Sequence, residues 1–143
     1  MHAGDFLDVL AAFETSAVPY VLTGGAAVVL HGISRDIEDL DIIVRPDPDE
    51  CLRISTVLQS LGFFPTVLLP LHQVVVMTFL DQSWRRVDVH VRHLLPYDEL
   101  RGRCRLIRYA GIDVPVIAVA DLIEVKRMNR PEDPDLAALE AIR

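Results

Sequence analysis

The sequence predicts an α+β domain, a mixed β-sheet flanked by helices, on three observations. Helical and strand-like segments alternate at first, then strands follow one another, then two helices close the chain, an order that builds a sheet with helices packed on it. Asp81-Gln82-Ser83 separates two strand-like runs and reads as a hairpin turn, so this strand pair is antiparallel. The third observation is an apolar run, Asp39–Val44, that carries two carboxylates one position apart.

Taken in order, residues 5–16 place Phe6, Leu7, Leu10 and Phe13 at helical spacing. Val18-Pro19 ends that helix, because the residue before a proline is pushed out of the helical region, and leads into a short buried strand, Tyr20–Thr23. Gly24-Gly25 turns the chain into an apolar helix, Ala26–His31, which stops at Gly32. Ile33–Glu38 reads as a loop and Asp39–Val44 as a strand. Asp47 is an N-cap, Pro48 suits the first helical position, and Asp49 and Glu50 favour the positive end of the dipole. That helix runs to about Leu61 and stops at Gly62. Strands follow at Gln73–Leu80 and at Trp84–Val91, the latter with Val87, Val89 and Val91 alternating. Arg105–Tyr109 and Ile112–Val116 are short strands around Gly111. Val119–Met128 and Asp135–Ile142 read as closing helices.

The 143 residues suit one domain, 1–143, around one core. Hydrophobic residues make up 51% and charged residues 24%, a folded globular composition. Fourteen Lys and Arg against 21 Asp and Glu give a net charge of −7, which argues against a protein that coats DNA or RNA without sequence preference. Cys51 and Cys104 lie far apart and form neither a disulfide framework nor a zinc motif; both are expected as buried thiols in a reducing cytosol. Asp5 and Asp8 interrupt any leader-like start, and no apolar run approaches the roughly 20 residues that span a bilayer. The expected compartment is the cytoplasm, with no membrane partner.

Asp39 and Asp41 share a face of their strand, since side chains alternate. Two bare carboxylates a few ångströms apart near a core repel each other, so something must neutralise them. Arg35 or Arg45 is one option; a hard divalent cation such as Mg²⁺ is the other. Asp88 adds to the second, because it lies opposite Val87 and Val89 in an alternating strand and would join the pair if the two strands are neighbours. The backbone N–H groups of Gly24, Gly25 and Ala26, where a Gly turn opens a helix, are suited to phosphate oxygens. Taken singly, each feature also has an ordinary reading as a surface carboxylate or a plain turn.

Together, "GG…HG…R…DLDIIV" and the later "VDVH" resemble the polymerase-β-like nucleotidyltransferase superfamily, in particular its minimal, toxin-type and small antibiotic-modifying members. The similarity runs from Tyr20 to about Leu139. It implies the nucleotidyltransferase fold and transfer of a nucleoside monophosphate (NMP) from an NTP to a hydroxyl acceptor, releasing pyrophosphate. By the same resemblance Asp39, Asp41 and Asp88 bind Mg²⁺ or Mn²⁺ and carry the catalysis, with Asp88 as third ligand or general base, and Gly24 and Gly25 hold the nucleotide's phosphates. Arg35 is an additional candidate for a phosphate. The acceptor is open among a small molecule such as an antibiotic, a tRNA end and a protein. A second copy or a helical partner completing the cleft is a further expectation, and a non-catalytic interaction protein of a toxin–antitoxin-like pair is the alternative reading. Ile37 stands where many relatives carry Thr, and Glu132 where the closing segment of small relatives has a basic residue.

Other candidates have two readings each. His31 is either a helix-end packing residue or a catalytic one, and His90, which shares a face with Asp88, is either a base or substrate contact or an ordinary strand residue. Lys126 either reaches a phosphate or belongs to an outer charged face with Glu124 and Arg127. Arg85-Arg86 and Arg101–Arg108 either meet a nucleotide or are solvated strand edges.

Overall fold

The computed structural model describes residues 1–143. A 3₁₀ turn, Ala3–Phe6, leads into α1 (Leu7–Thr15), β1 (Val21–Thr23), α2 (Gly24–Leu30), β2 (Asp39–Ile43) and α3 (Pro48–Ser60). Then come β3 (Phe64–Pro65), a second 3₁₀ turn (Leu71–Gln73), β4 (Val76–Leu80), β5 (Arg86–His90), α4 (Tyr97–Arg103), β6 (Arg105–Tyr109), β7 (Ile112–Val116), α5 (Val119–Asn129) and α6 (Asp135–Ile142). The strands form one seven-stranded sheet in the order β3-β4-β5-β2-β1-β7-β6. It is mixed: β2 runs parallel to β5 and β1 to β7, while the other neighbours are antiparallel. The α+β class read from the sequence is the observed one.

The pattern of side chains explains the placement. Leu40 and Ile42 on β2 and Val87 and Val89 on β5 are fully buried, as are Val9, Leu10 and Phe13 of α1 and Ile54 and Leu58 of α3. Burying these side chains is the dominant force that fixes which face of β2 and β5 looks inward. The Asp47 side chain accepts from the Glu50 backbone N–H at 2.8 Å and caps α3, an interaction worth about 1 kcal/mol. Ala110 and Gly111, both at positive φ, make the tight β6–β7 turn. No helix is long and apolar enough to cross a membrane.

Several boundaries differ from expectation. α2 begins at Gly24, so the glycine turn is the first turn of the helix. The strand expected from Gln73 begins at Val76, because Pro70 caps a 3₁₀ turn that takes up Leu71–Gln73. β3 is only two residues long and has no periodicity to read. α4 was not anticipated, although Asp98 and Glu99 in its first turn and Arg101 and Arg103 in its last match the helix dipole. Cys51 is buried as expected, whereas Cys104 is half-buried.

Candidate active site

The site lies where β2 is flanked by β1 and β5. Parallel pairing sets Asp39 beside Arg86, Asp41 beside Asp88 and Ile43 beside His90. On the other side, antiparallel pairing sets Thr23 beside Asp41, and Thr23 leads directly into Gly24 and α2. Asp39, Asp41 and Asp88 each offer a carboxylate oxygen, and the three oxygens lie within 4.8 Å of one another. The strand reasoning that put these acids on one face is therefore matched in space.

The cluster is poorly solvated. Side-chain exposure is 27% for Asp39, 17% for Asp41 and 7% for Asp88. Burial, together with the charges of Asp41 and Asp88, pushes the Asp39 carboxyl up to about 7. Asp88 goes the other way. Burial opposes its ionisation, but hydrogen bonds from Arg86 and Thr78 outweigh it and hold the carboxyl below the usual range. Arg86 Nε donates to Asp88 at 2.9 and 3.1 Å and lies 3.8 Å from Asp39 Oδ2; Thr78 Oγ1 donates to Asp88 at 2.8 Å.

Arg86 corrects the sequence reading, which offered Arg35 or Arg45 as the neutralising cation. Arg45 is engaged by Glu50 and Asp98 and stacks over Tyr97, all away from the cluster. Arg35 donates to the Asp36 carbonyl at 2.9 Å and pairs with Asp135. It does stand beside the glycine turn: a Cβ on Gly25 would meet its Cζ at 3.2 Å. Arg86 was legible in principle, since it lies two residues before Asp88 in an alternating strand and so shares its face. Thr78 was not, because its role depends on the β4–β5 register.

Gly24 meets the cluster directly. It has φ +68°, and a Cβ there would lie 2.3 Å from Asp41 Oδ2. Backbone and carboxylate thus approach as no other residue would permit. Around them is a cavity of about 450 Å³, whose lining includes Thr23, Gly24, Asp41, His90, Lys126 and Asp133. Lys126 Nζ is 3.2 Å from Asp133 and 3.1 Å from Asp135, so it points into this cleft rather than to an outer face. His90 Nε2 lies 3.2 Å from Asp41 Oδ1. His31 Nε2 lies 2.7 Å from the Ile117 carbonyl and serves packing. Burial keeps His93, at the cleft edge, below the usual histidine range.

The donor set fits a hard divalent ion: carboxylate oxygens only, close enough to converge on one centre, with Asp39 raised by burial and by the charges of Asp41 and Asp88. A pH dependence follows. The Asp39 carboxyl is raised from 3.8 to about 7, so its proton favours the metal-free fold, and that contribution is lost as pH rises through about 7. A divalent ion has to displace this proton. Mn²⁺ affinity measured by calorimetry should therefore rise by up to about tenfold between roughly pH 6 and pH 8, then level off. A flat profile would mean that the ion does not compete for Asp39.

A glycine turn opening a helix against three strand carboxylates on a mixed sheet is the arrangement expected of a nucleotidyltransferase, and the family match that follows shows the chain to be an enzyme of that class. Residues 5–99 match the family described as aminoglycoside-2''-adenylyltransferase, and the chain belongs to it. Among solved structures, the lincosamide antibiotic adenylyltransferase LnuA, lincomycin-bound, is 19% identical with TM-score 0.73, over 98% of this chain and 97% of that one. ANT(2'')-Ia in complex with adenylyl-2''-tobramycin is 15% identical with TM-score 0.67, over 99% and 85%. A candidate nucleotidyltransferase from Thermotoga maritima is 16% identical with TM-score 0.63, over 100% and 97%. No curated protein sequence matches the chain.

Proposed function

We propose that this protein transfers an NMP unit from an NTP to a hydroxyl of a small acceptor, releasing pyrophosphate, in the cytoplasm where NTPs reside. The observation that carries this reading is the convergence of Asp39, Asp41 and Asp88 within 4.8 Å beside the Gly24 turn. These three residues would hold Mg²⁺ or Mn²⁺. When bound, the ion would neutralise the triphosphate and the charge that develops on the transferred group.

The chain's own groups do the rest. Gly24 and Gly25 bring backbone N–H groups to the phosphates. Lys126, only 12% exposed and aimed into the cleft, offers its ammonium to the departing pyrophosphate in exchange for Asp133 and Asp135. Asp88 is ionised at neutral pH and accepts the proton of the attacking hydroxyl, while Arg86 and Thr78 fix its orientation. Arg35 is an additional phosphate contact on the Gly25 side. Most of the acceleration comes from positioning and charge neutralisation.

An antibiotic-type acceptor is proposed because the family name and two of the similar structures name such compounds. The test uses each NTP labelled at the α-phosphate, Mg²⁺ or Mn²⁺, and a panel of hydroxyl-bearing antibiotics. Label should appear in an acceptor as pyrophosphate is released. A folded protein that binds neither nucleotide nor divalent ion at millimolar concentration would falsify the proposal and return attention to a non-catalytic partner protein.

A further inference from the structure

The acceptor's chemistry can be read from the side of the cleft it must enter, given the transferase reading above, on which this inference rests. In phosphoryl transfer the attacking and leaving oxygens lie in line on opposite sides of the transferred phosphorus. If pyrophosphate leaves towards Gly24 and Lys126, the hydroxyl arrives from the other side, past Asp88 and over the β4–β5 end. Val75, Val76, Arg92, His93 and Leu94 line that end. Three of them are apolar and open to solvent: Val75 is 60% exposed, Val76 43% and Leu94 74%. Val76 lies two residues from Thr78 on β4 and shares its face, so the apolar surface continues up to the hydroxyl that holds Asp88.

Free carboxylates are what this surface lacks. The chain has 21 Asp and Glu against 14 Lys and Arg. Yet Asp41 and Asp133 are the acidic residues that line the cavity. Asp41 belongs to the carboxylate cluster, and Asp133, 3.2 Å from Lys126, lies on the side where pyrophosphate leaves rather than on the acceptor side. Asp98, in the adjoining depression, is bound to Arg45 at 3.2 Å. An acceptor bearing several ammonium groups would lose water there, find no unpaired carboxylate in return, and face Arg92. A hydroxyl compound with an apolar flank would cover Val75, Val76 and Leu94 and gain from their burial.

We propose that the acceptor side of this cleft selects amphiphilic hydroxyl compounds with an apolar flank and at most one positive charge, and disfavours polycationic aminoglycosides. Binding of the α,β-methylene analogue of each of the four NTPs with Mg²⁺ is measured first by calorimetry, and the one that binds is used below; if none binds, the transferase reading is overturned and this inference with it. With nucleotide bound, lincomycin (one amine, alkyl flank), n-hexyl glucoside (uncharged) and tobramycin (several amines) are titrated in turn. The two amphiphiles should bind at least about tenfold tighter than tobramycin. In a Leu94→Glu variant, which alters only an exposed side chain, their binding should weaken and tobramycin binding should strengthen by about tenfold. If tobramycin binds the parent protein as tightly as the amphiphiles, or if neither amphiphile binds at millimolar concentration while the nucleotide does, the inference fails and the transferase reading stands.

Discussion

In an Asp41→Asn variant, NMP transfer falls by about 10³-fold or more, divalent-ion affinity falls with it, and the fold persists. Asp41 sits at the centre of the site, level with Asp88 across the strand pair, against Gly24 and within 3.2 Å of His90. The amide matches the carboxylate in size but carries no charge to balance a cation. Losing such charge stabilisation costs several kcal/mol in the transition state, and about 1.4 kcal/mol is a factor of ten in rate. Stability should hold or rise slightly, because one of three mutually repelling carboxylates is gone. Initial rates at saturating NTP, Mn²⁺ calorimetry and a thermal melt measure the three effects together. A variant that keeps a tenth of the parent's rate would place the metal site elsewhere.

Gly24→Ala should be nearly as damaging to catalysis by a different route. The new methyl carbon would lie 2.3 Å from Asp41 Oδ2 and 3.0 Å from its Cβ and Cγ, so the carboxylate must move. A displacement of that order costs about 10²-fold in rate. The left-handed backbone adds about 1–2 kcal/mol of strain, visible as a lower melting temperature. Gly25→Ala is the comparison. There the methyl would meet Arg35 Cζ at 3.2 Å and Ile37 Cγ2 at 3.3 Å, with an ordinary φ, and a solvent-facing guanidinium can give way. Its rate loss should be several-fold smaller. Equal losses in the two variants would trace the effect to stiffening of the turn instead of to the Asp41 contact.

How much of this was legible depended on the range of the interaction. Asp47-Pro48 announced α3, and Gly111 the break between the strands that became β6 and β7, because capping and turn chemistry act within a few residues. Asp39 and Asp41 could be put on one face from alternation alone. Their convergence with Asp88 needed β2 and β5 to be parallel neighbours, a pairing between segments 47 residues apart in number that no local pattern specifies. Arg86 was not linked to the carboxylates because Arg85 and Arg86 were read together, as a pair that either meets a nucleotide or forms a solvated strand edge; in the fold they separate. Arg85 turns to Asp8 and Asp81, Arg86 to Asp88. Lys126 was undecided for a similar reason: its partners Asp133 and Asp135 belong to the following connection and helix, whose return to the cleft is a tertiary event.

The three aspartates hang from interior strands, whereas Val75 and Leu94 belong to the connections that enter and leave β4 and β5. On the proposed reading, reaction chemistry and substrate taste are carried by separate parts of the chain. Over evolutionary time, or in a directed-evolution library, the connections can drift in length and composition and so exchange one recipient molecule for another. A shift of a single residue within β5, by contrast, would turn Asp88 to the opposite face and silence every such variant at once.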